Sequence, residues 1–323
     1  MLRYLARRLA FSLLLVAAVS SAAALLTLAA PGDITSEQVG TGATAQSIQA
    51  ERARLGLDRA PLEQYGAWLA RAARLDFGTS LMYGRPVTGL VAERARNTLL
   101  LAVAALVIAL LAGVPLGVVS GSRRGWAAGA IRACSLAAVS MPTLVSSLVL
   151  VLVAARTGWL PIGGMTSADA ARGWLAAAGD IAWHMIVPTL AIALPLAATI
   201  ERLQSEATAR TMEERFVMAA RARGVPPGRV LWRHVLKPSL RPVAAVAGVV
   251  FGNLLSGSFV VEIVTSWPGL GRLMFDALRS RDLYLVAGCA AAGGVFLALG
   301  ALLSDAALAL VDPQLRGREE GRA

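Results

Sequence analysis

Lysine, histidine and cysteine are nearly missing from this chain of 323 residues. It has one lysine, Lys237, two histidines, His184 and His234, and two cysteines, Cys134 and Cys289. Each scarcity removes a class of chemistry. Lys237 lies between Leu236 and Pro238, so no GxxxxGK[ST] loop exists to cradle a nucleoside triphosphate. The histidines stand fifty residues apart, which excludes HExxH, and no Cys/His cluster offers a zinc site. Gly269-x-Gly271 lacks the third glycine of a dinucleotide fingerprint. Both cysteines fall inside apolar stretches, where an external disulfide framework has no place. The expectation is a chain that is not an enzyme, with no catalytic residue, metal ligand or cofactor of its own.

Charge is scarce too. Charged residues make up 16% of the chain and hydrophobic ones 56%, against about 25% charged in soluble domains; the mean hydropathy is +0.63. The apolar residues gather into six uncharged blocks: Leu9–Ala30, Asn97–Ser122, Ala133–Ala155, Ile181–Ile200, Pro242–Val261 and Leu283–Ser304. Twenty helical residues span roughly 30 Å, the thickness of a bilayer's hydrocarbon core. Backbone polar groups find no water there, so each block is expected to be a helix. The first block exceeds a signal-peptide core of about 7–15 residues. The reading is an all-α membrane protein with six transmembrane helices.

Basic residues mark cytoplasmic loops. With the N-terminus inside, the inner segments sum to +11 and the outer ones to +2, while Glu262 and Asp305 at helix ends contribute −2. That supports an N-in, C-in topology. It also makes the arginines topology signals on a lipid-bound protein, not contacts for nucleic acid. The expected division is an N-terminus and first helix over 1–30, an extracytoplasmic loop over 31–96, a core over 97–311 with a cytoplasmic loop at 201–241, and a tail over 312–323. Glu262 and Asp305 read as interfacial or paired carboxylates, although an ion-coupled carrier would have only them to use. Gly113, Gly117 and Gly121, then Gly248, Gly252 and Ser256, recur every four residues. Such rows let helices approach closely, within one bundle or against a second subunit.

The inner loop carries most pattern. Ser205–Arg223 reads as a helix with Met212, Phe216, Ala219 and Ala220 at three- and four-residue spacing. Gly224 is a helix stop, Pro226-Pro227 a turn, and a second short helix from Gly228 ends near Pro238, with Val230, Leu231, His234, Val235 and Leu236 on its apolar side. Such a helix–turn–helix suits a groove on a soluble partner or the surface of anionic lipid. Outside, Pro61–Leu75 reads as an amphipathic helix with Leu62, Tyr65, Trp68, Leu69 and Ala72 along one side, suited to lying on the bilayer or to a receptor platform.

The run Arg215-Phe-Val-Met-Ala-Ala-Arg-Ala-Arg-Gly224 and the run Arg233-His-Val-Leu-Lys-Pro-Ser-Leu-Arg-Pro242 resemble the "EAA" loop of ABC-importer permeases of the dipeptide/oligopeptide/nickel branch. The likeness extends through Pro31-Gly32-Asp33, Leu55-Gly-Leu-Asp58, Gln64-Tyr65, Asp76-Phe-Gly-Thr-Ser80, Gly84-Arg-Pro-Val87, Gly158-Trp-Leu-Pro161, Ser266-Trp-Pro-Gly-Leu-Gly271 and Asp312-Pro-Gln-Leu-Arg316. It departs at Met218, where the name-giving glutamate would stand, and at Ile34, where proline is commoner.

The resemblance implies the first permease subunit of an importer in a bacterial or archaeal inner membrane, carrying peptides, with nickel or an opine as the alternative cargo. It implies a homologous second permease, two ATP-binding subunits that hold ATP and magnesium, and an extracytoplasmic substrate-binding protein. It further implies that Phe216, Ala219, Ala220, Arg221, Gly224 and His234 make or shape the joint with an ATPase.

Overall fold

The computed structural model describes residues 2–29, 49, 58, 60–167 and 173–311. Three resembling motifs, at 31–33, 55–57 and 312–316, lie outside the described residues, as do the side-chain surroundings of Gly248, Gly252 and Ser256. Among the described residues the structure is helical, with no strand and one isolated bridge between Thr79 and Pro86. Long helices are α1 (Leu2–Ala29), α3 (Val87–Ser122), α6 (Trp174–Met212), α9 (Arg241–Val264) and α11 (Leu283–Val311). Shorter ones are α2 (Pro61–Ala72), α4 (Trp126–Ser140), α5 (Thr143–Thr157), α7 (Arg215–Ala222), α8 (227–239) and α10 (Leu270–Arg279).

Among the described residues, four helices are long and apolar enough to cross a membrane, or five if α4 and α5 count as one span. The third apolar block is not one straight helix: α4 and α5 meet at 102°. Pro142 is the cause. A residue before proline is pushed out of the helical region, and Met141 sits extended at φ −83°, ψ 118°. By contrast α6 runs through Pro188 and Pro195 without a break. Pro195 has no N–H for the carbonyl four residues earlier; that carbonyl, of Ala191, instead accepts from Ser146 Oγ at 3.1 Å. The α6 helix also overruns its apolar block, so Glu201, placed in a loop by its charge, is 1% exposed within the helix.

The chain forms two compact units, one of Met1–Leu99 with Pro268–Ala298 and one of Leu100–Trp267 with Leu299–Ala323. In the first, α1, α2 and the start of α11 share a core of Ala24, Trp68, Leu283 and Ala287, with Tyr65, Ala72 and Tyr284 against it. The α2 side chains Tyr65, Trp68 and Ala72 therefore turn into protein, with Trp68 only 2% exposed. Only Leu62 and Leu69 of the expected stripe point outward. A neighbouring helix therefore covers the aromatic face of α2, and the expected stripe is divided between a buried and an exposed side.

Asp282, fully buried, organises the same unit. Its Oδ2 accepts from Ser80 Oγ at 2.6 Å and Met82 N–H at 3.0 Å, and its Oδ1 from Leu285 N–H at 3.1 Å. One carboxylate thus fixes the 80–83 turn and satisfies a first-turn donor of α11.

In the second unit α6 is the central helix, packed by α4, α5, α8 and α9. Its core joins Leu101, Ala102, Ala105, Ala191, Ile192, Leu254, Val261 and Trp267. The row Gly113, Gly117 and Gly121 lies directly on α6. An added Cβ at Gly113 would stand 2.6 Å from Ala197 O, and one at Gly117 would stand 2.6 Å from Gln204 Cβ; at Gly121 it would collide with Ser205 O. The small-residue row is therefore helix packing within this chain. Apolar side chains left outside, such as Leu14 at 68% and Leu111 at 72% exposed, suit hydrocarbon or another subunit. Trp126, Trp159 and Trp174, all near helix ends, are among the most exposed residues, as interfacial anchors are.

Candidate functional site

The loop after α6 departs from its expected boundaries. No helix starts at Ser205; α6 continues to Met212, Glu214 turns extended at φ −69°, ψ 145°, and α7 begins at Arg215. Neither glycine nor proline marks that break. The end of α7 matches expectation closely. Gly224 has φ +75°, a left-handed conformation that favours glycine. Val225 N–H donates to Ala220 O at 3.2 Å and Gly224 N–H to Arg221 O at 2.9 Å, the paired bonds of a Schellman stop. A Cβ at Gly224 would meet nothing within 4 Å, so conformation rather than space selects glycine there.

After the Val225-Pro226 turn, α8 contains a π-helical stretch, Val230–Val235. Pro238 has no N–H for the His234 carbonyl, and the widened turn stands where the hydrogen-bond ladder changes register. Two faces result. Val217, Ala220, Val230 and Val235 close a small core with Met212, Val225 and Leu231. Phe216 at 44%, Met218 at 54% and Trp232 at 50% point outward, joined by the exposed Ala219, Arg221, Arg223 and Gly224.

The six residues singled out by resemblance thus separate by position. Phe216, Ala219, Arg221 and Gly224 lie on the outer face, Ala220 is buried beneath it, and His234 is partly buried on α8. Val217, the inner partner of Ala220, and the exposed Met218 and Trp232 were not among them. The three-to-four spacing of Val217, Ala220 and Gly224 is visible in the sequence, but which side faces inward depends on where α8 folds back.

A polar connection joins this loop to α6. Gln204, fully buried, donates from Nε2 to Ser239 Oγ at 2.7 Å and to Thr208 Oγ1 at 3.1 Å, and Ser239 Oγ donates to Leu236 O at 2.9 Å. One turn earlier, Glu201 Oε1 accepts from Ser120 Oγ of α3, and Arg132 donates to the Ser120 carbonyl. Glycines on α3, buried polar groups on α6 and the end of α8 therefore form one continuous packed layer. Glu262 is fully buried and, like Asp305, engages a neighbouring group. No group of three or more His, Cys, Asp or Glu residues among the described residues could hold a metal.

Residues 113–317 match the model of the binding-protein-dependent transport system inner membrane component, and residues 1–102 match the N-terminal model of such membrane components. A Brucella ovis protein named as a peptide permease is 32% identical over 321 residues, 98% of this chain and 99% of its own length. A Sinorhizobium fredii protein named as a peptide ABC transporter permease is 31% identical over 317 residues, 97% of this chain and 99% of its own. The oligopeptide transport system permease protein AppB of Bacillus subtilis is 29% identical over 318 residues, 98% of this chain and 99% of its own.

Proposed function

Because the chain belongs to the family of binding-protein-dependent transport system inner membrane components, a family of transport permeases and not of enzymes, we propose that it forms half of the translocation pathway of a peptide importer. The peptide assignment follows the names of its relatives. In this reading all six apolar blocks cross the inner membrane, α9 and the bent α4–α5 pair included, with both chain ends in the cytoplasm. The division at 1–30, 31–96, 97–311 and 312–323 places the receptor-facing loop outside and the 201–241 loop inside. A second, homologous permease completes the pathway, two ATPases supply the energy, and a binding protein delivers cargo.

The observation that carries this reading is the outer face of α7. Phe216, Met218, Arg221 and Arg223 stand exposed on a helix whose underside is locked to α8. An aromatic and a thioether flanked by guanidinium groups fit an apolar groove with an acidic rim on a soluble partner. ATP-driven closure of the partner would move α7, and the α8–α6 connection would carry that motion into the helices. Such coupling requires differential contacts in the two states of the assembly.

The test is to purify the tagged chain from its native membrane in mild detergent and identify what accompanies it. A Walker-A ATPase and a second permease are expected, with the ATPase lost on Phe216→Ser. A stable complex lacking any ATPase would overturn the importer reading in favour of ion-coupled transport.

A further inference from the structure

The first unit contains a pocket of about 310 Å³ that the coupling machinery does not use. It is lined by Tyr83, Arg94, Pro268, Gly269, Arg272 and Asp276, so the Pro268-Gly269 turn forms part of its wall. Its walls are fixed. Asn97 Nδ2 donates to Pro268 O at 2.8 Å, and Leu270 N–H donates to Thr98 Oγ1 at 2.7 Å, holding the Pro-Gly turn against α3. Tyr83 N–H donates to Ser80 Oγ at 3.1 Å, and Ser80 is itself held by Asp282. A pocket so braced is formed before any ligand arrives.

Its chemistry is of both signs. Arg94 Nε is buried without a hydrogen-bond partner among the described residues, an arrangement native proteins avoid unless an acceptor is supplied. Guanidinium groups present planar donor forks that match a carboxylate. Asp276 offers an acceptor on the same lining. Partial burial, then the Asp276 carboxylate, raises the Tyr83 phenol above its ordinary value, so it faces the pocket as a neutral donor. The volume is at the small end for ligand sites, about 300–1,000 Å³.

We propose that this pocket binds a small zwitterion, its carboxylate on Arg94 and Arg272 and its ammonium on Asp276. This deepens the peptide-importer reading and rests on it: a short peptide with free termini carries both groups. Concavity and mixed charge favour a small ligand over an acidic loop of the receptor, which would need a flat basic surface.

The probe is radiolabelled alanyl-alanine, measured by equilibrium binding to the full chain in lipid nanodiscs. Saturable binding is expected, weakened about 10–100-fold in Arg94→Met, the range for losing a charge-assisted hydrogen bond. Asp276→Asn should weaken alanyl-alanine but not N-acetyl-alanyl-alanine, a discrimination that general unfolding would not produce. Absence of binding to the wild-type chain, or equal binding by both variants, overturns the proposal. So does loss of receptor association in Arg94→Met with peptide binding intact. ATP-driven uptake by the reconstituted wild-type assembly judges the importer reading separately: uptake that persists unchanged in both variants at subsaturating peptide sinks the pocket and spares the importer.

Discussion

Gln204 Nε2 donates to Ser239 Oγ at 2.7 Å, joining α6 to the end of α8 across 35 residues of sequence. Both side chains are buried, Gln204 at 0% and Ser239 at 1% exposed. The bond ties the loop to the helix below it at a point that water cannot reach. Gln204→Leu keeps the volume and removes the donor. We expect a loss of about 1–3 kcal/mol in stability, read by thermal unfolding in detergent. In the reconstituted assembly, peptide uptake should fall more than ATP hydrolysis does. An equal fall in both would mean that the bond serves stability alone.

The glycine row gives a sharper test of packing. Gly117→Ala and Gly121→Ala place a methyl group against α6, and overpacking costs about 1–3 kcal/mol. Gly129→Ala, where the added Cβ meets nothing within 4 Å, should be neutral or stabilising because alanine favours helix. Melting temperatures of the three variants, measured together, check the ordering.

The two faces of α7 should separate cleanly. Phe216→Ser alters an exposed side chain and is expected to leave folding intact while abolishing co-purification of the ATPase. Val217→Asp puts a carboxylate into the fully buried core of the loop and should reduce the amount of folded chain. Gly224→Ala forces a Cβ into a left-handed conformation, at about 1–2 kcal/mol. Detergent-solubilised yield and ATPase pull-down, read side by side, decide between docking and folding effects.

Asp282→Ala releases three donors at once, on Ser80, Met82 and Leu285. The 80–83 turn should loosen, so a cysteine introduced at Met82 would react with maleimide faster in the Asp282→Ala background than alone. Unchanged labelling would show that the turn is held by its backbone instead.

How much of this was legible in the sequence depends on what kind of signal each feature leaves. Five of the six apolar blocks fall in long helices, and the third is split between α4 and α5. Gly224 announced its own helix stop through φ. Charge at a block's end misled, however. Glu201 read as a loop residue, yet it lies inside α6. Asp282 does stand outside the helices, just before α11, but both carboxylates are buried and accept hydrogen bonds from residues 81 and 202 positions away. Side-chain chemistry alone cannot announce such distant partners. The bend at Pro142 was visible as a proline, but Pro188 and Pro195 look the same and leave α6 unbroken. At Pro195 the carbonyl left unserved, that of Ala191, is met by Ser146 of α5, a partner that no local pattern announces.

The Asp282 clamp also imposes an order on the chain's birth. Ser80 and Met82 leave the ribosome early, and the carboxylate that holds them is made only after Leu100–Trp267 has followed. At about 5–20 residues per second, the 200 residues between Met82 and Asp282 take roughly 10–40 s. Ser20 waits longer still for the Ala287 carbonyl that its hydroxyl reaches at 3.0 Å. Throughout that interval the first unit has its opening helices but not its closing one, and Trp68 has no Leu283 or Ala287 to cover it. Nascent chains stalled before Asp282 should therefore leave α2 open to protease, and release of the last helix should seal it. The final stretch of the protein finishes what the first stretch began.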